Sequence, residues 1–239
     1  MQAQSPSGNI NRIHMLLAVQ SIVVILVSVN RLTDLTTAYV LSNEFLRWVD
    51  FNNMLILPLI SVVASYLLKK TIEHVGIQPR WHLTLNLVFI IGIYLLAASY
   101  GDHEVTNYLH VRFCPDDTTS DLCRIIIFND DEFSHWLFFA GFVMVNAALL
   151  LIQVIFPIEQ SLSRRDKLLL MFNGLFIAAG IFANLAFEVI GLDLYVVALL
   201  ALLSVFLWWR HGAQPLVIYY TTAYCLGLAL TAIYTLLPA

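Results

Sequence analysis

The chain alternates between long apolar runs and short polar connections. Seven runs stand out, over residues 13–31, 52–71, 81–101, 132–156, 167–189, 192–209 and 214–237. Their lengths fall in the range of about 17–25 residues that a helix needs to cross a hydrocarbon core about 30 Å thick. None breaks into the short alternating segments of a membrane barrel. The pattern predicts an all-α integral membrane protein with about seven transmembrane helices. Residues 13–239 then form one polytopic domain, and the Gln- and Ser-containing residues 1–12 a disordered tail. Arg12 precedes the first run and no small-residue cleavage site follows it, which reads as a retained signal anchor. Only Ile190-Gly191 separates the fifth and sixth runs, so that hairpin is tight. Residues 34–50 mix polar groups with Tyr39, Phe45, Leu46 and Trp48, as an interfacial helix would.

Composition sharpens the class. Hydrophobic residues make up 60% of the chain, charged residues 12%, and the mean hydropathy is +0.81. These values exclude an ordinary soluble domain. The basic residues set an orientation. Arg12, Lys69, Lys70, Arg80, Arg164, Arg165, Lys167 and Arg210 fall on one side of the predicted spans, and only Arg31, Arg47, Arg112 and Arg124 on the other. The positive-inside rule puts the first group, and the N-terminus, in the cytoplasm and the C-terminus outside. Cys114 and Cys123 then share an outer loop, where a disulfide forms and persists, and Pro115-Asp116-Asp117 between them suits a turn. Cys225 lies inside the seventh run as a small packing residue.

The acids are distributed the opposite way. Of sixteen, only Glu73, Glu159 and Asp166 fall on the cytoplasmic side. The outer face therefore repels anions and gathers cations, which excludes nucleic acid as its partner. Membrane lipids and a hydrophobic substrate remain the expected partners, and the pattern is silent on oligomeric state.

Candidate chemistry collects on that acidic face. If the third run stays helical past Ser99, then His103, Asn107 and His110 share one helix face. Glu104 lies about 100° away from it. At the head of the fourth run Glu132 and His135 have the i, i+3 spacing with which helical bundles aim two ligands at one ion. Asp131 is also one turn from His135. The predicted metal ligands are His103, His110, Glu132 and His135, holding zinc or iron. Glu104 and Glu188 are the candidate catalytic bases, with Asn107 as an orienting amide. The competing structural reading has His103 and His110 solvated, and Glu132 capping the fourth helix together with Asn129, Asp130 and Asp131.

Polar stripes mark three other runs: Asp50, Asn53, Ser61 and Ser65 in the second, Asn173, Gly180, Asn184 and Glu188 in the fifth, and Tyr220, Tyr224, Gly227, Thr231 and Tyr234 in the seventh. Packing between helices explains most of them. A carboxylate such as Glu188 near the end of an apolar run needs a partner, a proton or water. The lysines, Lys69, Lys70 and Lys167, all lie at helix ends, which excludes a retinal Schiff base in the last span. His-x-x-x-His and His-Glu-x-x-His pairs are absent, against histidine-box oxidases and zinc proteases. The residues point to a membrane-embedded metal-dependent enzyme, a lipid hydrolase or oxidoreductase, with its site on the extracytoplasmic face. The alternatives are a proton or metal-cation carrier or channel, and a non-catalytic subunit of a larger membrane assembly.

Overall fold

A computed structural model describes residues 6–73, 80–188 and 191–236, leaving the side chains of 6–8, 187 and 188 outside the description. Among the described residues the chain is helical and contains no strand, only an isolated bridge between Tyr39 and Arg47. The helices are α1 (Pro6–Leu32), α2 (Trp48–Phe51), α3 (Leu57–Ile72), α4 (His82–Phe113), α5 (Asp121–Phe128), α6 (Ser134–Ile155), α7 (Arg164–Ala183), α8 (Leu192–His211) and α9 (Pro215–Leu236). Three π turns, Asn52–Ile56, Asn129–Phe133 and Asn184–Glu188, prolong or join them. Joined in this way, the described residues hold seven helices long and apolar enough to cross a membrane.

The helices begin and end elsewhere than the hydropathy alone predicts. α1 starts at Pro6, because Ile10 packs on the core and Ile13 is fully buried. Part of the expected tail is therefore helix; residues 1–5 lie outside the description. α4 runs to Phe113 rather than 101, and the next helix starts at Asp121 rather than 132. Both extensions project together, and a Cys114–Cys123 disulfide ties their ends, as expected. The start at Asp121 is capped by Ser120, whose hydroxyl accepts from the Cys123 N–H. Asn129, Asp130 and Asp131 thus sit inside a continuous helical segment and cap nothing. No long interfacial helix forms over 34–50; the segment holds a single 3₁₀ turn, Asp34–Thr36, and the short α2.

Packing follows a chain of neighbours in which α3 meets α1, α1 meets α7, α7 meets α9, α9 meets α8, α8 meets α6, and α6 lies along α4; α3 touches α4 and α6 at only a few positions. Close approach of α4 and α6 requires glycine on both sides. A Cβ on Gly141 would stand 2.7 Å from the Gly92 carbonyl oxygen, and one on Gly92 would stand 2.9 Å from the Met144 Cβ. α9 is heavily enclosed, with Leu216, Val217, Tyr219, Tyr220, Ala223 and Tyr224 all buried. The outward faces are apolar and open; Leu83 and Leu202 are each 70% exposed. Surfaces of that kind suit lipid, not water.

The polar stripes of α1, α3 and α7 are spent on helix contacts. Gln20 donates to the Ser61 carbonyl and the Ser65 hydroxyl, each at 2.9 Å, while the Ser61 hydroxyl returns a bond of 2.7 Å. The Ser21 hydroxyl lies 3.1 Å from Asn173 Oδ1, and Asn30 donates to Asn53 at 3.0 Å. Between apolar helices such bonds fix pairing and register.

Candidate metal centre

Two ends of the bundle can be named by their contents. The disulfide end holds Cys114–Cys123, the end of α4 and all three π turns. The basic end holds the end of α3, the start of α4 and the start of α7. Each π turn begins with asparagine, whose side chain can satisfy the carbonyls that a widened turn frees; Asn129 donates 2.8 Å to the Ile125 carbonyl.

The long α4 brings His103, Asn107 and His110 onto one face, as their spacing predicts. What that face meets is Asp130, on the π turn leading into α6. His110 Nδ1 stands 2.9 Å from Asp130 Oδ2, and the Asn107 amide donates to the same oxygen at 3.5 Å. His103 Nδ1 stands 3.0 Å from Oδ1. Its N–H aligns better with the Asp130 carbonyl oxygen, 3.3 Å away, so Oδ1 has the distance of an ion pair but no aligned donor. Asp130 is 1% exposed, which makes that bare oxygen costly.

The hydrogen bonds also fix the imidazoles. Carboxylate and carbonyl oxygens only accept, so Nδ1 carries the proton in His103 and in His110. The same holds for His135, whose Nδ1 lies 2.8 Å from the Asp131 carbonyl. In its neutral form each ring then keeps Nε2 free to accept a proton or a hydrogen bond. The His103 and His135 rings are neighbours, with centroids 5.1 Å apart.

One group among the described residues brings three ligand atoms together: His110, Asp130 and Asp131, all within 4.8 Å of one another. Ligands about 2.0–2.2 Å from a tetrahedral ion lie about 3.3–3.6 Å apart, so binding asks for a contraction of up to about 1 Å. Asp130 is buried, His110 half-buried and Asp131 exposed, which leaves the group open to water on one side.

The expected ligand set is therefore redistributed. His110 belongs to the group. His103 and His135 flank it. Glu132 does not join it, for two residues along a helix from Asp130 turns a side chain to the far side, and Glu132 is exposed. Glu104 is buried but faces α1, where it pairs with Arg31 at 2.8 Å. It lines a cavity of about 280 Å³ with Asp50, Tyr108 and Arg112, apart from the histidine face. The Glu188 side chain lies outside the described residues. Asp130 is the group the sequence reading passed over. The signal was the Ile125-Ile126-Ile127-Phe128 run behind a Ser120 cap, which starts the helix early enough to carry Asp130 inside it.

Comparison with known proteins returns no match: no family model, curated protein or solved structure is significantly similar to this chain.

Proposed function

We propose that this protein is a membrane-embedded, metal-dependent enzyme whose ion sits at His110, Asp130 and Asp131 and whose substrate is a lipid or another hydrophobic molecule. The observation that carries the proposal is the convergence of those three ligand atoms around a buried carboxylate at one end of an apolar helix bundle. In this reading the ion would take the place of the proton between His110 Nδ1 and Asp130, held by that nitrogen and by one oxygen each of Asp130 and Asp131. His103 and His135, with their bare Nε2 atoms beside the group, hold or move a proton. Zinc and iron both accept imidazole with carboxylate. Such an ion supplies an activated water or a site for oxidation. Substrate arrives from the bilayer, across the open apolar faces.

The carrier reading is weaker, because Ser61, Ser65 and Asn173, from the polar stripes that would line its path, are engaged between helices.

The test is elemental analysis of protein purified without a histidine tag, followed by incubation with membrane lipid extract. Near-stoichiometric zinc or iron is expected, falling below about one-tenth in Asp130→Asn and in His110→Gln, where a ligand is lost. Chelator-sensitive lipid turnover should disappear in the same variants. Metal-free protein, or metal content indifferent to both substitutions, overturns the proposal.

A further inference from the structure

A second feature lies at the basic end, independent of the metal group. α7 and α8 both pack on α9, and the space between them is a cleft of about 1170 Å³ with α9 as its floor. Pockets that take drug-sized ligands hold about 300–1,000 Å³, so this one has room for a larger apolar molecule. Its α7 wall is a stripe: Leu168, Met171, Phe172 and Leu175 are 44–56% exposed and recur along one face. At its mouth stand Arg164 and Arg165, the first residues of α7, both exposed. Neither has an ion-pair partner among the described residues. The one carboxylate of that first turn, Asp166, closes a capping box with Ser163 and meets His14 of α1 at 3.1 Å, and pairs with neither arginine.

We infer that the cleft binds an anionic phospholipid, with its acyl chains against α7 and α9 and its phosphate at Arg164 and Arg165. Two observations agree on this occupant. The first is charge: two unpaired guanidiniums beside a helix N-terminus hold a phosphate by bidentate bonds and by the helix dipole. The second is length. From Arg164 to Leu175 the helix rises about 16 Å, close to the roughly 15 Å of one leaflet's hydrocarbon. A hydrocarbon substrate or a second copy of this chain would leave both arginines unanswered.

Native mass spectrometry of the full chain, eluted from neutral detergent with phosphatidylglycerol or phosphatidylcholine, tests the inference. Two basic side chains near a membrane surface favour the anionic lipid about 30-fold. Arg164→Gln with Arg165→Gln should erase that preference. Arg164→Lys with Arg165→Lys retains the charge and should keep most of it, which also controls for folding. Ala229→Trp, placed in the cleft, should weaken retention of the anionic lipid while leaving both arginines intact. Equal retention of the two lipids by the native chain, a preference that survives the double glutamine change, or a dimer in place of bound lipid overturns the inference.

Discussion

Both ends of the bundle pair histidines with carboxylates, and they do so in different proportions. At the basic end Glu73 meets Lys69, Lys70 and His82 together, and Asp166 meets His14. Cations there match or outnumber the acids they face. At the disulfide end Arg31 answers Glu104 and Arg47 answers Asp50, but Asp130 faces only imidazoles. Asp131 has no cationic partner among the described residues, and Asp102 keeps one buried oxygen without a hydrogen bond. Crowded carboxylates cannot all stay ionised without a positive charge among them. In the function proposed above a divalent cation supplies it. On that proposal the same two residue types make a clamp at one end and a ligand set at the other, and the count of fixed cations separates the two.

The sharpest way to break this comparison is to exchange the carboxylates for amides, one at each end. Asp130→Asn should strip the metal and abolish turnover, because an amide is a poor ligand and cannot serve both imidazoles as an acceptor. Glu73→Gln should leave metal content and turnover unchanged. Its cost is stability, about 3 kcal/mol, since Lys69 is buried and would keep its charge without a counter-ion. Elemental analysis and thermal unfolding in detergent read the two effects separately. Metal loss in the Glu73 variant would mean that the ends are coupled and the contrast is false.

A second test concerns what holds the ligand set in place. The Cys114–Cys123 bridge joins the end of α4, which carries His110, to the start of α5, which leads to Asp130. Cys114→Ser with Cys123→Ser should lower stability by about 2–3 kcal/mol through the longer reach of the unfolded chain. Metal affinity should fall as well, because the two ligand-bearing helices lose their tie. Unfolding midpoints with and without reductant, beside metal titration of the variant, would show it. A loss of stability with unchanged affinity would make the bridge a staple and nothing more.

How much of this was legible in the residues differs between fold and site. The seven apolar runs and their helical nature follow from length and continuity, because a 20-residue apolar run admits few structures in lipid. Helix ends were harder. Hydropathy reports where the hydrocarbon ends, whereas α4 and α5 continue beyond it and are stabilised by a cap and a disulfide that hydropathy does not see. The histidine face of α4 was legible because 3.6-residue periodicity is local to one helix. Its partner was not, since the register between α4 and the 121–155 segment depends on the Gly92–Gly141 approach and on the π turn at Asn129–Phe133. Those features decide that Asp130, and not Glu132, faces the imidazoles.

The smallest expected effect is a pH dependence confined to the basic end. Burial raises the cost of charge on Glu73, but the hydrogen bonds from Lys69 and His82 outweigh it, and the carboxyl is held below the usual carboxylate range. A carboxyl lowered on folding adds stability above its unfolded value, about 4.3. That stability is lost as pH falls through the lower folded value, because the native state must then take up a proton the clamp opposes. The unfolding midpoint of the native chain should therefore approach that of Glu73→Gln as pH falls below about 4, while at neutral pH the two stay apart. Curves that remain parallel down to pH 3 would show that the Glu73 charge contributes nothing to the clamp. The two ends would then differ in geometry alone.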